Sequence, residues 1–484
     1  MKYVWLVALA VVASCSKSNS EACCTSQADC TAVGLPVGST CPSGQGCSDH
    51  ACVTAQCTGD SDCSAPTPVC SGSLCVTCDA THGCAASEPV CSIDMTTCNT
   101  CGDSSDCASF PDAPVCDTTS GGCVQCVTAA DCATATPVCD HGACRACTAD
   151  ADCPSGACAL DGTCVDATAI IYVSPTGVDA GSCLMMSPCA TLSYALTQVH
   201  SATRDIVLAA GSYSDNVTIV GGALPIGLHG GGATLSAVSP SSPAITTTST
   251  PVLISDLMMT GDNTGDGSTI VTGTGMVTLR SVTVDSSDAI LVGGPVLAQD
   301  LEATNTTNIA IIVAPAGDLT LDRAVIHGGS KGLSCSMSSA TPSRVALQNV
   351  MVYGMANLAL DLTYCKGTVA FTTATASGSI DNGAQVKCGT LAMSISSSIV
   401  WGTAAGGPVV GNCTFASTIA GPTPVTGTMT SDPLFANPAA NDFHITAASP
   451  AKDAVTTGPI DDFEGDTRPQ GAAYDIGADE LKQP

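Results

Sequence analysis

Five groups of residues in this chain have types and spacings that could do chemistry. Gly328-x-Ser330-x-Gly332 carries the letters of a nucleophile elbow, and Ser449-x-x-Lys452 has the spacing of a Ser/Lys pair. Neither has the surroundings it needs. An elbow is a strand-to-helix turn, but Ser330 falls in a turn following Ile326, and Pro450 stops the helix that would bring Ser449 and Lys452 onto one face. Asp256 and Asp300 are acids of the kind that glycoside hydrolysis uses in pairs, yet Arg280 and Arg323 stand at unmatched positions near them. Asp461, Asp462, Glu464 and Asp466 are hard oxygen ligands, dense enough to hold calcium. Arg468 is near enough to pair with them, and a structural salt bridge is the reading preferred here over a calcium site; no other cofactor is expected. Finally, His327, Tyr353 and Trp401 stand four residues after the polar centres of a repeated pattern. All three are expected to point outward, to touch a ligand or to pack under a neighbouring loop.

That pattern returns seven times between Pro251 and Gly402, centred on Asp256, Ser281, Asp300, Arg323, Asn349, Thr373 and Ser397, at spacings of 25, 19, 23, 26, 24 and 24 residues. Such a period signals stacked units. Apolar residues lie four and two positions before the centre (Val345, Leu347) and one and three after it (Val350, Val352). A strand places alternate side chains on one face, so the skipped beat means two strands meeting at a corner with both apolar pairs kept inward. The runs are short, β-branched and closed by Gly261, Gly328, Gly354, Gly378 and Gly402, which argues against a helical repeat. The expected fold class is all-β, a parallel β-helix with coils about 4.8 Å apart.

The ladder resembles the right-handed, pectate-lyase-like β-helix. For an enzyme, that resemblance implies carboxylates holding calcium with a catalytic Arg or Lys on one strand face, or a pair of acids. Sugar clefts also favour aromatic platforms, and aromatics make up only 3% of this chain. Ahead of the ladder, I170-I-Y-V-S-P-T-G and S187-P-C-A-T-L resemble the opening segment of bacterial β-helix proteins. Ala190 to Val199 reads there as a helix closing the solenoid's open edge. Behind it, S431-D-P-L-F, S449-P-A-K-D and D462-F-E-G-D-T-R468 with Y474-D-I-G-A-D-E resemble the closing segment of choice-of-anchor Q proteins, a group defined by shape and carrying no single activity.

Of 33 cysteines, 27 lie at or before Cys164. From Cys57 they fall into five four-cysteine units that follow one another without a linker: Cys57 to Cys75, Cys78 to Cys98, Cys101 to Cys123, Cys126 to Cys144 and Cys147 to Cys164. Cys24, Cys30, Cys47 and Cys52 read as a further unit, with Cys23 and Cys41 as an extra pair. None has the apolar side chains for a core, so disulfides must replace it, at roughly 2–4 kcal/mol per bridge. Each unit admits three connectivities. C75-V-T-C78 and C98-N-T-C101 also have zinc-ligand spacing, which would strand the cysteines between them. The array resembles Cys-rich repeats of large myxobacterial lipoproteins. Counted from the corner of its own coil, Cys335 sits 12 residues on, Cys365 16, Cys388 15 and Cys413 16. The last three would stack in one column, where only neighbouring coils fall within the roughly 4.4–6.8 Å Cα span of a disulfide. The pairing that leaves no sulfur over is Cys335 with Cys365 and Cys388 with Cys413, beside a Cys183–Cys189 staple.

From Cys15 to Asp166 there are 18 acidic residues and two basic ones, in a chain whose net charge is -29. Phosphate binding needs a basic face, so nucleic acid is excluded as a partner. Met1 to Ser14 carries one Lys and an apolar run of eleven residues, too short to span a bilayer of about 30 Å. V12-A-S-C15 resembles a bacterial lipobox, which implies cleavage before Cys15 and its acylation. The expected organisation is a signal peptide (1–14), a lipid-anchored tether (15–22), disulfide repeats (23–166), a parallel β-helix (167–430) and a capping segment (431–484). The function expected is that of a non-enzymatic, surface-exposed outer-membrane lipoprotein. Its membrane contact would be the lipid, and its β-helix would meet a glycan or an envelope protein. The rival is a polysaccharide-active enzyme, lyase or glycoside hydrolase, on the same scaffold. Replacing the acylated residue, Cys15→Ala, should release the protein from the membrane fraction or block its processing; a processed variant that stays membrane-bound would refute the anchor.

Overall fold

The structure, a computed structural model, describes residues 45–482 except 49–50, 72–73, 80–82, 93–96, 221, 240–241, 262–267, 287, 305–307, 338–340, 377–383 and 403–407. The leader, Cys15, the cysteines up to Cys41 and Ser377 lie outside the described residues. The chain divides into two compact units at Arg145 and Ala146.

In the first unit the repeats are short hairpins stapled twice. Val69–Ser71 pairs with Leu74–Val76, which sets Cys70 opposite Cys75. Cys70 is bridged back to Cys57, and Cys75 to Cys63. The same first-to-third, second-to-fourth pattern holds in the next three units and in Cys147 to Cys164, which belongs to the second compact unit. With all these sulfurs oxidised in bridges, C75-V-T-C78 and C98-N-T-C101 offer no thiolate to a metal. In four of the five repeats an acid precedes the second cysteine and closes a turn: Asp62 accepts the Thr58 N–H at 2.8 Å, Asp106 that of Gly102 at 2.7 Å, Asp131 that of Val127 at 3.0 Å and Asp152 that of Thr148 at 2.9 Å. Side-chain acceptors and sulfur bridges hold these repeats where a core is missing.

The second unit is a parallel β-solenoid. Each wall is a row of apolar side chains in register, one per coil, and the row Leu228, Ile254, Leu279, Ala298, Leu321, Leu347, Val369 and Ile395 runs through eight successive strands. Past the corner a second row follows Leu235, Met259, Val284, Ala303, Ile326, Val352 and Ala374. A nine-stranded sheet from Val217–Ile219 to Val409–Val410 closes the tube with Ile245, Ile270, Ile290, Ile311, Leu333, Leu360 and Val386. These residues are buried and form one continuous core. At the start of the solenoid, Leu192–Thr197 is a helix shorter than the expected Ala190 to Val199. Thr191 caps it, and Leu192 and Ala195 are sealed against the first coils.

Each of the seven corners is a single residue with positive φ; the strand continues through the middle five and breaks at Asp256 and Ser397. In six of the seven copies that residue is the centre read from the sequence. In the sixth it is Phe371, φ 46°, where Thr373 was expected. Asn349 therefore stacks on Phe371, between Gln348↔Ala370 and Val350↔Thr372. Thr372 and Thr373 are buried in the strand beyond, with the Thr372 hydroxyl donating to the Ala370 carbonyl at 3.0 Å.

The late cysteines pair as Cys335–Cys365 and Cys388–Cys413, with Cα separations of 5.6 and 5.5 Å, and Cys183 pairs with Cys189. The single column expected for Cys365, Cys388 and Cys413 does not form. Cys335 and Cys388 end strands of the nine-stranded sheet, and Leu362, in register with Cys388, ends the strand between them. Cys365 opens the next strand, Cys365–Ala376, and Cys413 immediately precedes Thr414–Ala416. Each bridge thus ties the end of one wall to the start of another one coil on.

Leu279 is fully buried in the middle of its row, whereas Leu297, on a neighbouring strand, is 37% exposed. Leu279→Ala should destabilise the solenoid by about 2–5 kcal/mol in urea unfolding, and Leu297→Ala by well under half of that; equal effects would refute the inward and outward assignment.

Candidate functional site

The motifs of nucleophilic catalysis are dispersed. Gly328 to Gly332 joins strand Asp318–His327 directly to strand Lys331–Cys335, with no helix for an elbow. The Ser449 hydroxyl donates to the Pro433 carbonyl at 2.6 Å, while Lys452 lies 3.8 Å from Asp453. Arg323 holds both oxygens of Asp300, at 2.6 and 2.8 Å, and also pairs with Asp461.

The four acids of the closing segment turn to separate partners. Asp461 meets Arg323, Glu464 meets His444 at 3.2 Å, and Asp466 meets Lys482 at 2.8 Å. Asp462 is buried and accepts the N–H groups of Glu464, Asp466 and Glu480 at 2.9, 2.9 and 3.1 Å. Arg468 does not form the expected ion pair with them. It is buried, donates to the carbonyls of Asp475 and Gly477 at 3.1 and 2.9 Å, lies 3.5 Å from Glu480, and stacks over Phe371 at 5.2 Å. In a segment with little regular structure, carboxylates supply the acceptors that backbone N–H groups otherwise lack.

The structure also assembles a constellation that sequence reading missed: Asp150, His229 and Ser255, each buried. His229 Nδ1 faces Asp150 Oδ1 at 2.8 Å and its Nε2 faces Asp205 Oδ1 at 3.2 Å, while Ser255 Oγ donates to Asp150 Oδ2 at 2.6 Å. Arg280 reaches Asp150 at 3.4 Å and donates to the Cys158 carbonyl at 2.7 Å, and the Asp150 N–H donates to Asp256 at 3.0 Å. His229, Ser255 and Arg280 occupy one outward row on three successive coils, each the last residue before its corner. Asp150 belongs to the fifth disulfide repeat, where its carboxylate also accepts the Cys158 N–H at 2.9 Å. Asp60 makes the same closure to the Cys70 N–H, at 2.8 Å, in an earlier repeat. A repeat-closing acid has thus been recruited to clamp the last repeat onto the solenoid wall. The separations of 79 and 105 residues from Asp150 to His229 and Ser255 hid this; the signal available was a His, a Ser and an Arg recurring at the same pre-corner position.

Burial pulls the His229 pKa down, but its bonds to Asp150 and Asp205 outweigh that and raise it to about 8. Burial opposes ionisation of Asp150, and the His229 bond and charge hold its carboxyl below the ordinary value. An imidazolium with both nitrogens facing carboxylates has no free nitrogen to take a proton from Ser255, so the group acts as a clamp and not as a nucleophile with its base.

A cavity does lie on the aromatic column. The His327 ring stacks on Tyr353 with centroids 5.0 Å apart and planes at 8°, Tyr353 meets Phe443 at 5.4 Å, and Phe443 meets Phe435 edge-on at 5.3 Å. Phe435 and Phe443 come from the hairpin Phe435–Asn437 and Asp442–Ile445, so the closing segment packs against the column. Beyond Tyr353 the column continues through Thr375, which replaces the expected Ser377 because the corner is Phe371, to Trp401 and Gly421. A side chain at Gly421 would collide with the Trp401 indole, so the glycine lets the ring lie across it. The cavity, about 630 Å³, is lined by Thr375, Trp401, Phe435, Phe443, Asp432 and Asn441, with Gly354 and Gly402 among its other lining residues. Of the three column residues singled out, Trp401 lines it; Tyr353 backs it through Phe443, and His327 stands one coil further, 3.9 Å from Glu302.

Residues 78–170 match a family of unknown function, DUF8331, spanning four of the repeats and the first residue of the solenoid. No curated protein matches the chain. Among solved structures, the crystal structure of pectate lyase Pel9A is similar over 64% of this chain and 96% of its own, at 12% identity and a TM-score of 0.42.

The clamp has a defined pH response. Because the folded pKa of His229 is about 8 against an ordinary 6.5, its contribution is complete below pH 6.5 and is lost as the pH rises through about 8. A shift of that size corresponds to ~2 kcal/mol. Amide exchange at Asp150 and Cys158, corrected for intrinsic rates, should therefore speed up between pH 6.5 and 9, and His229→Gln should remove that dependence; identical protection at both pH values would refute the clamp.

Proposed function

We propose that this protein is a non-enzymatic binding protein of the bacterial envelope: an acidic, disulfide-stapled stalk, anchored through acylated Cys15, that carries a β-solenoid bearing a small-molecule site. The observation that carries the reading is the make-up of the aromatic cavity. Glycoside hydrolysis needs two carboxylates roughly 5–9.5 Å apart across the scissile bond, and among the described residues the lining of this cavity includes one, Asp432. Several other acids lie in closed pairs: Asp300 and Asp461 on Arg323, Asp361 on Lys331 at 2.6 Å, and Asp150 and Asp205 on His229. Asp256, the remaining acid considered for hydrolysis, accepts the Asp150 N–H within the clamp. The density of disulfides supports an oxidising, exported location, and the lipobox resemblance supports the anchor. The test is incubation of the intact protein with neutral and acidic polysaccharides, assayed for new reducing ends and for unsaturated elimination products. Neither is expected; sustained turnover that tracks the protein through purification would overturn the reading.

A further inference from the structure

We infer that the cavity beside Trp401 binds an uncharged oligosaccharide of two or three sugar units, and discriminates against polyuronates. The inference rests on the binding reading above and names its ligand class.

Volume, lining and charge select the ligand together. A site of about 630 Å³ lies within the range of roughly 300–1,000 Å³ typical of small-molecule sites, and a lone ammonium head group would leave most of it empty. Three of its walls are rings: Trp401, Phe435 and Phe443, with Phe435 and Phe443 at 87° to one another. A ring face is electron-rich, and the C–H face of a sugar ring presents the matching positive edge. The indole is fixed by its seat on Gly421, and the Tyr353 ring, itself stacked on His327, stands behind Phe443. Little side-chain freedom then remains to be lost on binding, which favours affinity. Polar groups sit at the rim of these faces. Asp432 accepts the Leu434 N–H through one oxygen at 2.9 Å, leaving the other to accept sugar hydroxyls, and Asn441 supplies an amide with both a donor and an acceptor.

Charge excludes the acidic sugars. Among the described residues, the lining contains a carboxylate and neither Lys nor Arg, in a chain of net charge -29. A uronate entering it would meet Asp432 with no cation to offset the repulsion. An uncharged sugar incurs no such cost and satisfies Asp432 through its hydroxyls.

The experiment is calorimetric titration of the intact protein with four probes: a glucose-based trisaccharide, an N-acetylglucosamine-based trisaccharide, trigalacturonate and choline. At least one uncharged trisaccharide should bind, and trigalacturonate should bind at least tenfold more weakly. Trp401→Ala should weaken the uncharged ligand by about tenfold or more, as loss of a central aromatic anchor does. Asp432→Asn, a near-isosteric change that spares the fold, should narrow the gap between the uncharged ligand and trigalacturonate. Preference for trigalacturonate or for choline would overturn the inference, as would uncharged-sugar binding that neither variant alters; in each of these cases the binding reading survives. No binding of any of the four probes would overturn it as well. Cleavage of a bound trisaccharide would overturn the non-enzymatic reading while leaving the ligand assignment standing.

Discussion

One backbone requirement shapes the solenoid: on eight successive coils a single residue must take a left-handed conformation. Asp256, Ser281, Asp300, Arg323, Asn349, Phe371, Ser397 and Ser417 all have φ between 46° and 54°. Such a residue costs roughly 1–2 kcal/mol unless it is glycine or, to a lesser degree, Asn or Asp. Without the kink the apolar pairs before and after it would face opposite sides of a flat strand. Most corners use small polar residues. Arg323 and Phe371 are the two large side chains among them, and the closing segment grips both by their side chains, through Asp461 on Arg323 and through Arg468 over the Phe371 ring. A corner that local preference disfavours is held by tertiary contact, and the same contact fixes the segment whose hairpin walls the aromatic cavity.

The corner also sorts the outward positions into columns. The residue just before it points away from the core on every coil, so polar side chains stacked there stand about 4.8 Å apart, close enough to share a partner. His229, Ser255 and Arg280 share Asp150 in this way. The residue four places after the corner forms the second column, in which His327 and Tyr353 stack and Trp401 lies across Gly421. One period in the sequence therefore produces both the electrostatic clamp and the aromatic wall. They differ in what covers them: a disulfide repeat on the first, a hairpin on the second.

The walls, the corners and the disulfide repeats were legible because each is a local pattern repeated many times, so one misplaced copy does not disturb the rest. The misplaced copy, Thr373 for Phe371, shows the limit. Two threonines in a row look like a polar corner, and a phenylalanine before them looks like a wall residue; only Arg468, 97 residues on, makes a left-handed Phe stable. That slip of two residues moves the Cys388 count from 15 to 17, but the false column has another source. Cys365 and Cys413 both lie 16 residues from true corners, and counting residues across turns does not say which wall a cysteine reaches, so Cys365 opens one strand while Cys388 ends another. The bridges Cys335–Cys365 and Cys388–Cys413 still join neighbouring coils. The closing acids were legible as a cluster and illegible as a function. Calcium ligation and backbone satisfaction use the same carboxylates, and the choice depends on which N–H groups the loops leave open. The clamp was not legible at all, since Asp150 reads as one more repeat acid until the wall it meets is known.

Asp150, His229 and Ser255 show why geometry has to be read atom by atom before chemistry is assigned. A Ser, a His and an Asp in mutual contact satisfy the letter of a catalytic triad. A triad works because one imidazole nitrogen is held by a carboxylate while the other stays free to take the serine proton. Here Asp205 occupies that other nitrogen, the serine hydroxyl is directed at Asp150, and all three residues are sealed from solvent. Gly227 permits this closure, because any side chain there would collide with the Asp205 carboxylate and the imidazole. The proton on His229 is thereby committed to joining two carboxylates, one from the disulfide repeat and one from the first coils. Removing a single partner would leave an uncompensated buried charge, which is far more destabilising than losing the whole set. The group behaves as a fastener whose strength depends on all its members being present, and catalysis would require taking one of them away.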